Sequence, residues 1–495
     1  MNERNPHAPN GDWSPDEFRE AGLAAIEWVA RYLERLPELP VVPPVAPGDI
    51  AAQIPASPPE DPEPFDRLLR DLDEIVVPGV THWNHPGFLA YFGITGSGPG
   101  ILGELVASAF NTNGMLWKSS PSTTEVELAM MGWLRDMLDL PSDWFGMLTD
   151  TASMSTFLAL AAARESVEGM DVRREGLAAP GYPRLRVYAS DQAHSSAEKA
   201  CIGLGLGQVG FVKIPVDAEF RMRADVLAEQ VAQDRAAGWR PLAVVATIGT
   251  TSTTSIDPVP EIADICERES LWLHVDGAYA GAAAVLPEMR DAFRGLERAD
   301  SYVMNPHKWL FVPIDASAFF TRHGDVLRRA FQLVPDYLHT TDDAVNLMDY
   351  GLQLGRRFRA IKLWWVLRTF GVNGIRERIR SHCRLAQLLA GWIEEDDRFE
   401  VAAPVPFSTV CFRGRWPECD ESELDRRNEL LAERVTRSGI AFLAHTRLEG
   451  RITIRAAIGN LRTDTSRIES VWRALQSTHD EITRVGATSA QGESR

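Results

Sequence analysis

Five short apolar runs in the middle of the chain each end in a polar cluster, and helix-like stretches separate most of them. They are Leu185–Ala189 before Ser190-Asp191, Phe211–Ile214 before Pro215, Leu242–Ala246 before Thr247, Leu271–Val275 before Asp276, and Tyr302–Met304 before Asn305. Short apolar runs alternating with helices predict an α/β fold built on a mostly parallel sheet. In such a sheet the functional groups gather at the carboxyl ends of the strands, where these polar clusters lie.

The flanks read differently. Ser14, Pro15 and Glu17 form a capping box for a helix whose apolar stripe runs through Phe18, Gly22, Ala25, Val29, Leu33 and Leu36. Ten prolines then fall between Pro37 and Pro64, interleaved with Val41, Val42, Val45, Ile50 and Ile54. This composition predicts an ordered, extended arm, with a second helix from Phe65 to Ile75 behind it. Beyond about residue 370 helices flank strand-like pieces at Phe399–Val401, Thr409–Phe412, Ile440–Leu443 and Arg451–Ala456, as in a small α+β domain. The expected division is an N-terminal arm over 1–85, a large α/β domain over 86–370, a small domain over 371–485 and a disordered tail over 486–495. A chain of 495 residues has room for such an arrangement.

The net charge of −18 argues against nucleic acid or an anionic membrane as partner. The softest stretch, Phe88 to Gly103, is interrupted by glycines and Pro99, so no membrane span is expected. The five cysteines are scattered and show no metal-binding spacing. The N-terminus lacks the apolar core of a signal peptide, and a reducing, cytoplasmic setting is expected.

Among the motifs, Gly205-x-Gly207-x-x-Gly210 has the letters of a dinucleotide fingerprint. It follows a helix and precedes a strand, the reverse of what the fingerprint requires. Asn305-Pro306-His307-Lys308-Trp309 is more informative. A lysine directly after a strand, in apolar surroundings, can lose its charge and form a Schiff base. A surface lysine beside a loop proline is the plain alternative. Asp276 ends an apolar run and needs a partner, which is either a backbone N–H of the next turn or a protonated ring nitrogen. Thr151-Ala152-Ser153 opens an apolar helix, whose first N–H groups suit an anion. His194 follows another strand, and its flat imidazole is suited to stacking on a flat ring.

The segments TASMSTFLALAAAR, SDQAHSSAEKA, ATIGTTSTTSIDP, LHVDGAYAG, MNPHKW and LGRRFRAIKLW, with PGVTHW and the proline-rich arm, resemble the pyridoxal-phosphate-dependent aromatic-L-amino-acid decarboxylases (group II decarboxylases). The resemblance runs from about Phe18 to residue 480. It implies a fold-type-I enzyme, homodimeric with its active site at the subunit interface, that uses pyridoxal 5'-phosphate to decarboxylate an aromatic L-amino acid. Residue by residue, it implies that Lys308 holds the cofactor, that Asp276 partners the pyridine nitrogen and that His194 stacks on the ring. It places Ala152, Ser153, Ser301 and Asn305 at the phosphate, Thr251 and Ala278 beside the ring, and His307 next to the lysine linkage. Tyr337, in Val334-Pro335-Asp336-Tyr337-Leu338, matches the loop tyrosine that reprotonates the substrate carbon.

A substrate pocket is expected from Trp83, Phe88, Tyr91, Phe92 and Ile94, with His194, Met115 from the partner subunit, and Gly355 leaving room for a large side chain. Three positions depart from the family pattern: Gly277 stands for a usual alanine, Asp150-Thr151 for Gly-Ser, and Ile94 for a threonine of animal relatives. An oxidative aldehyde synthase, for which the resemblance implies phenylalanine at the loop tyrosine, and a decarboxylase of a non-aromatic amino acid are the alternatives. An aminotransferase would need an arginine clamp, for which Arg455 is the candidate, although its strand setting suggests a structural role.

Overall fold

A computed structural model describes residues 12–333 and 344–492. Among them, seven strands form the central sheet: β1 (Phe145–Thr149), β2 (Leu185–Ser190), β3 (Phe211–Ile214), β4 (Arg240–Thr247), β5 (Trp272–Asp276), β6 (Ser301–Met304) and β7 (Ser317–Thr321). Their order is β1-β7-β6-β5-β4-β2-β3. The strands β2 to β6 pair in parallel, and β7 alone runs against its neighbours β1 and β6.

The apolar runs are strands because both faces of the sheet are covered. Tyr188, Val244, Ala246, Leu273, Val275 and Tyr302 enter one apolar layer. Val187, Ala189, Ala243, Val245, Trp272 and Phe319 enter the other, beneath the helix Ala152–Glu165. The sequence pattern misses β1 and β7. Their apolar stretches are brief and bounded by Gly, Ser or Thr, so they carry little periodic signal.

The small domain has β8 (Phe399–Val401), β9 (Thr409–Gly414), β10 (Ala444–Leu448) and β11 (Arg451–Ala457) in the antiparallel order β10-β11-β9-β8. The strand expected at Ile440–Leu443 is displaced to Ala444–Leu448. Gly439 turns the chain at φ +77°. Phe442 then bonds across the domain boundary, accepting from Leu89 N–H at 3.1 Å and donating to the Gly87 carbonyl at 2.9 Å. The real strand β10 lies at a sheet edge with alternating exposure, and its polar letters hide it.

At the N-terminus the helix Pro15–Arg35 has its capping box, with Glu17 N–H donating to Ser14 Oγ at 3.3 Å and Ser14 N–H to Glu17 Oε2 at 2.9 Å. None of its residues is buried. Part of the proline-rich arm is anchored: Val41 is fully buried against Phe88 and Ala90. The final helix, Thr465–Gly492, continues past residue 485.

Candidate active site

The parallel strands bring their carboxyl ends to one edge of the sheet. Asp276 ends β5, Asn305 follows β6, His194 follows β2, and the loop after β4 carries Thr251. The strand β1 points the same way and feeds the helix Ala152–Glu165. Residues far apart in sequence therefore share one edge because the strand order places β5 and β6 at the centre.

Lys308 sits on the short helix Pro306–Trp309. Its Nζ lies 5.2 Å from the ring centroid of Phe92. Burial pushes its amine down from the usual lysine range to about 8; Asp276 opposes this and Arg455 adds to it. The ring of Phe92 stacks on Tyr279 at 4.0 Å, and Tyr279 on Trp309 at 4.6 Å. The Trp309 indole N–H donates to His382 Nδ1 at 2.9 Å. Lys308 thus rests on a column of aromatic rings that its own neighbour completes.

Asp276 is almost fully buried, and its Oδ1 accepts from Ala278 N–H at 2.9 Å. Burial pushes His194 below the ordinary histidine range, with Asp276 opposing and Lys308 reinforcing the shift. Its Nδ1 accepts from Ser196 N–H at 3.2 Å. Asn305 donates its N–H to the Ala278 carbonyl at 3.0 Å, while its buried Oδ1 has no partner. His307 accepts from Ala316 N–H at 3.0 Å and is pushed down to about 3 by burial. Its imidazole is therefore neutral and fastened to the approach to β7.

At the helix Ala152–Glu165, Thr151 Oγ1 caps Met154 N–H at 3.4 Å. The N–H groups of Ala152 and Ser153 belong to the first turn, which has no intrahelical acceptors. Asp150 is tied to Thr151 and to Gln353. Thr251 donates its N–H to the Gln192 carbonyl at 3.4 Å, two residues from His194. Its loop turns at Gly249, where φ is +88° and a Cβ would lie 2.4 Å from Ala280 Cβ. At Gly277 a Cβ would come within 2.7 Å of the Tyr302 ring, which explains the missing methyl in this chain.

Ser301 does not join the group. It stands at the start of β6, opposite His274, and its Oγ is engaged by Trp272 Nε1 and His274 Nδ1, both at 2.9 Å. A sequence places a serine on a strand but not at which end its hydroxyl is used. Met115 bonds with Asn113 and Met348, and a Cβ built on Gly355 would have only Asn113 within 4 Å. Among the described residues no hydrogen bond or ring contact links them to Lys308. Trp83 stacks on Phe88 at 4.3 Å and on Tyr91 at 6.0 Å, and Ile94 is half-buried two residues beyond Phe92. Tyr337 lies outside the described residues.

Arg455 carries more than its strand setting suggested. From β11 it reaches across the domain boundary, and its guanidinium carbon lies 4.4 Å from the Phe92 centroid. Nε donates to the Ser252 carbonyl at 2.8 Å, Nη1 donates to the Tyr91 carbonyl, and buried Nη2 has no partner.

Comparison with known proteins was informative along nearly the whole chain. The pyridoxal-dependent decarboxylase conserved domain matches residues 47–415. Aromatic-L-amino-acid decarboxylase of Sus scrofa is 40% identical over 484 residues, covering 94% of this chain and 97% of that protein. The structure of Oryza sativa TDC with PLP and tryptamine superposes with a TM-score of 0.92 at 37% identity, covering 95% of this chain and 99% of that one. That of Rhodiola rosea 4-hydroxyphenylacetaldehyde synthase gives 0.88 at 32% identity, with 95% and 99% covered.

Proposed function

The chain belongs to the pyridoxal-dependent decarboxylase family, and from that premise we propose that it is a carboxy-lyase acting on aromatic L-amino acids. It takes tryptophan-, tyrosine- or DOPA-type substrates, with pyridoxal 5'-phosphate as cofactor, and releases the amine and carbon dioxide. The observation that carries this reading is the meeting of a half-buried Lys308, its proton affinity lowered, with Asp276 beside the ring of Phe92.

The residues present suit the cofactor. The open helix N-terminus at Ala152 and Ser153 suits its phosphate. Asn305 has a buried amide end without a partner, and turning that amide over offers N–H in place of oxygen. Asp276 would hold a proton on the ring nitrogen, His194 would lie against the ring, and Thr251 and Ala278 would flank it. When bound, pyridoxal phosphate supplies the electron sink for the pair released as the Cα–carboxylate bond breaks. Lys308 would hold the cofactor through Nζ and would give it up to the substrate amine. Its low proton affinity keeps a usable fraction of Nζ uncharged near neutral pH. Trp83, Phe92 and Ile94 give the pocket flat apolar walls, which favour an aromatic side chain over an acidic one. Tyr337 returns a proton to Cα.

Turnover of a panel of amino acids tests the reading: kcat/KM is higher for at least one aromatic substrate than for glutamate, and the reverse ranking contradicts it. The proton balance of Lys308 gives a second expected result. Below about pH 8 the amine is charged and cannot attack, so capture of pyridoxal phosphate by the apo chain speeds up with pH and levels off above 8. A plateau reached only near the free lysine value would show that Nζ is not desolvated.

The protein is a homodimer in this proposal. Phe18, Leu23 and Ile26 on the first helix, and Leu102, Leu105 and Phe110 on Gly98–Phe110, are exposed in one protomer and need cover. Met115 then serves the site from the partner subunit. Light scattering should give twice the chain mass of 54.9 kDa, and a monomer at micromolar concentration would refute the assembly. Among the described residues no helix is long and apolar enough to cross a membrane, and all five thiols are free, in keeping with a cytoplasmic setting.

A second reading, an oxidative aldehyde synthase, draws support from the Rhodiola rosea neighbour. Tyr337 favours the decarboxylase.

A further inference from the structure

Ser301, displaced from the phosphate, belongs to a buried polar chain that leads back to the site. Trp272, His274 and Ser301 are all buried, the latter two completely. An indole nitrogen can only donate, so Trp272 Nε1–H gives its proton to Ser301 Oγ at 2.9 Å. The Ser301 hydroxyl proton then has one partner available, His274 Nδ1, also at 2.9 Å. Nδ1 is thereby the acceptor, and the ring's own proton is fixed on Nε2. Burial pushes His274 down to about 4, so the ring is neutral, and the Ser301 backbone is a further contact of the ring.

His274 Nε2 is a buried donor without a partner. Neutral ring nitrogens inside a protein are normally satisfied, whereas this one has no acceptor within hydrogen-bond distance, Asp276 included. Two residues along β5, and on the same side of the strand, is Asp276. Asp276 is the charged group that acts on His274 most strongly. Its Oδ1 is taken by Ala278 N–H, which leaves Oδ2 for a further donor.

We propose that His274 is a positioning residue for the cofactor-binding carboxylate: with its proton fixed on Nε2 by the Trp272–Ser301 chain, it steadies Asp276 against the ring nitrogen of pyridoxal phosphate. The inference rests on the cofactor reading above. It also gives Ser301 a role at a distance, as the residue that selects the histidine tautomer.

The test measures pyridoxal phosphate affinity of the apo chain by tryptophan quenching, and the 15N shift of the labelled cofactor ring nitrogen. Gln places an N–H close to where histidine has Nε2, whereas Asn is too short. His274→Asn should weaken binding about ten- to hundredfold, the scale of a lost hydrogen bond to a charged group, and move the ring-nitrogen shift toward its unprotonated value. His274→Gln should restore most of both. Ser301→Ala should fall between them, and Ser301→Thr should match wild type. Equal losses in His274→Asn and His274→Gln would show that only the shape of the ring matters and overturn the proposal, as would wild-type affinity and shift in all four variants. Should His274→Asn fail to fold, the Ser301 pair decides alone: equal behaviour of Ala and Thr refutes the relay. Failure of the wild-type chain itself to bind the cofactor would refute the cofactor reading instead.

Discussion

Lys308→Ala abolishes turnover, with a loss of more than about 10³-fold, while the chain stays folded. The loss is large because an amine at this position carries the covalent chemistry and nothing nearby replaces it. Lys362 is buried, yet its Nζ is paired with Glu104 Oε2 at 2.7 Å. Lys199 is exposed. Stability should not suffer. Most of what acts on Lys308 is the cost of burying its charge, and alanine removes that cost. The apo variant should melt at or above the temperature of the apo wild type. Borohydride treatment of the wild type, followed by peptide mapping, should place the cofactor adduct on Lys308. An adduct on Lys199 or Lys362 would overturn the assignment.

Tyr337→Phe changes what the enzyme makes more than whether it binds. Once carbon dioxide has left, the electron-rich Cα either takes a proton or reacts with oxygen. In the proposed reaction the Tyr337 phenol supplies that proton quickly, so amine should prevail in the wild type. Phenylalanine keeps the ring and removes the proton. The variant should bind pyridoxal phosphate as the wild type does and form amine more slowly by about a hundredfold or more, the lower end of what a lost general acid costs. It should also divert product toward aldehyde, ammonia and peroxide. Unchanged amine yield without peroxide would assign the proton to another group, of which His194 is the first to examine. Its lowered proton affinity does not suit it to carry a proton at neutral pH, which favours Tyr337.

The sequence was most legible where physics forces a pattern. Strands covered on both faces must be apolar throughout, so β2 to β6 stood out, and their polar ends marked Asp276, Asn305 and Lys308. Legibility failed where a contact crosses between elements. The serine of Ser301 reads the same whether its hydroxyl meets a phosphate or, as here, Trp272 and His274. Arg455 looked structural because its strand belongs to the small domain. Only the packing of β11 against the loop at Ser252 brings it beside Phe92. The run Ile440–Leu443 is apolar enough for a strand, but its backbone docks on Gly87 and Leu89. The polar edge strand β10 follows it unnoticed.

In the proposed reaction this site removes carbon dioxide from an aromatic amino acid and then protonates the carbon it leaves. The most direct measurement loads the wild-type protein with pyridoxal phosphate, supplies tryptophan, tyrosine and DOPA in turn, and quantifies carbon dioxide, amine, ammonia and peroxide in the same reaction. One amine should appear for each carbon dioxide with at least one of these substrates, with little ammonia or peroxide. Ammonia and peroxide in step with carbon dioxide, or amino-group transfer without carbon dioxide, would contradict it.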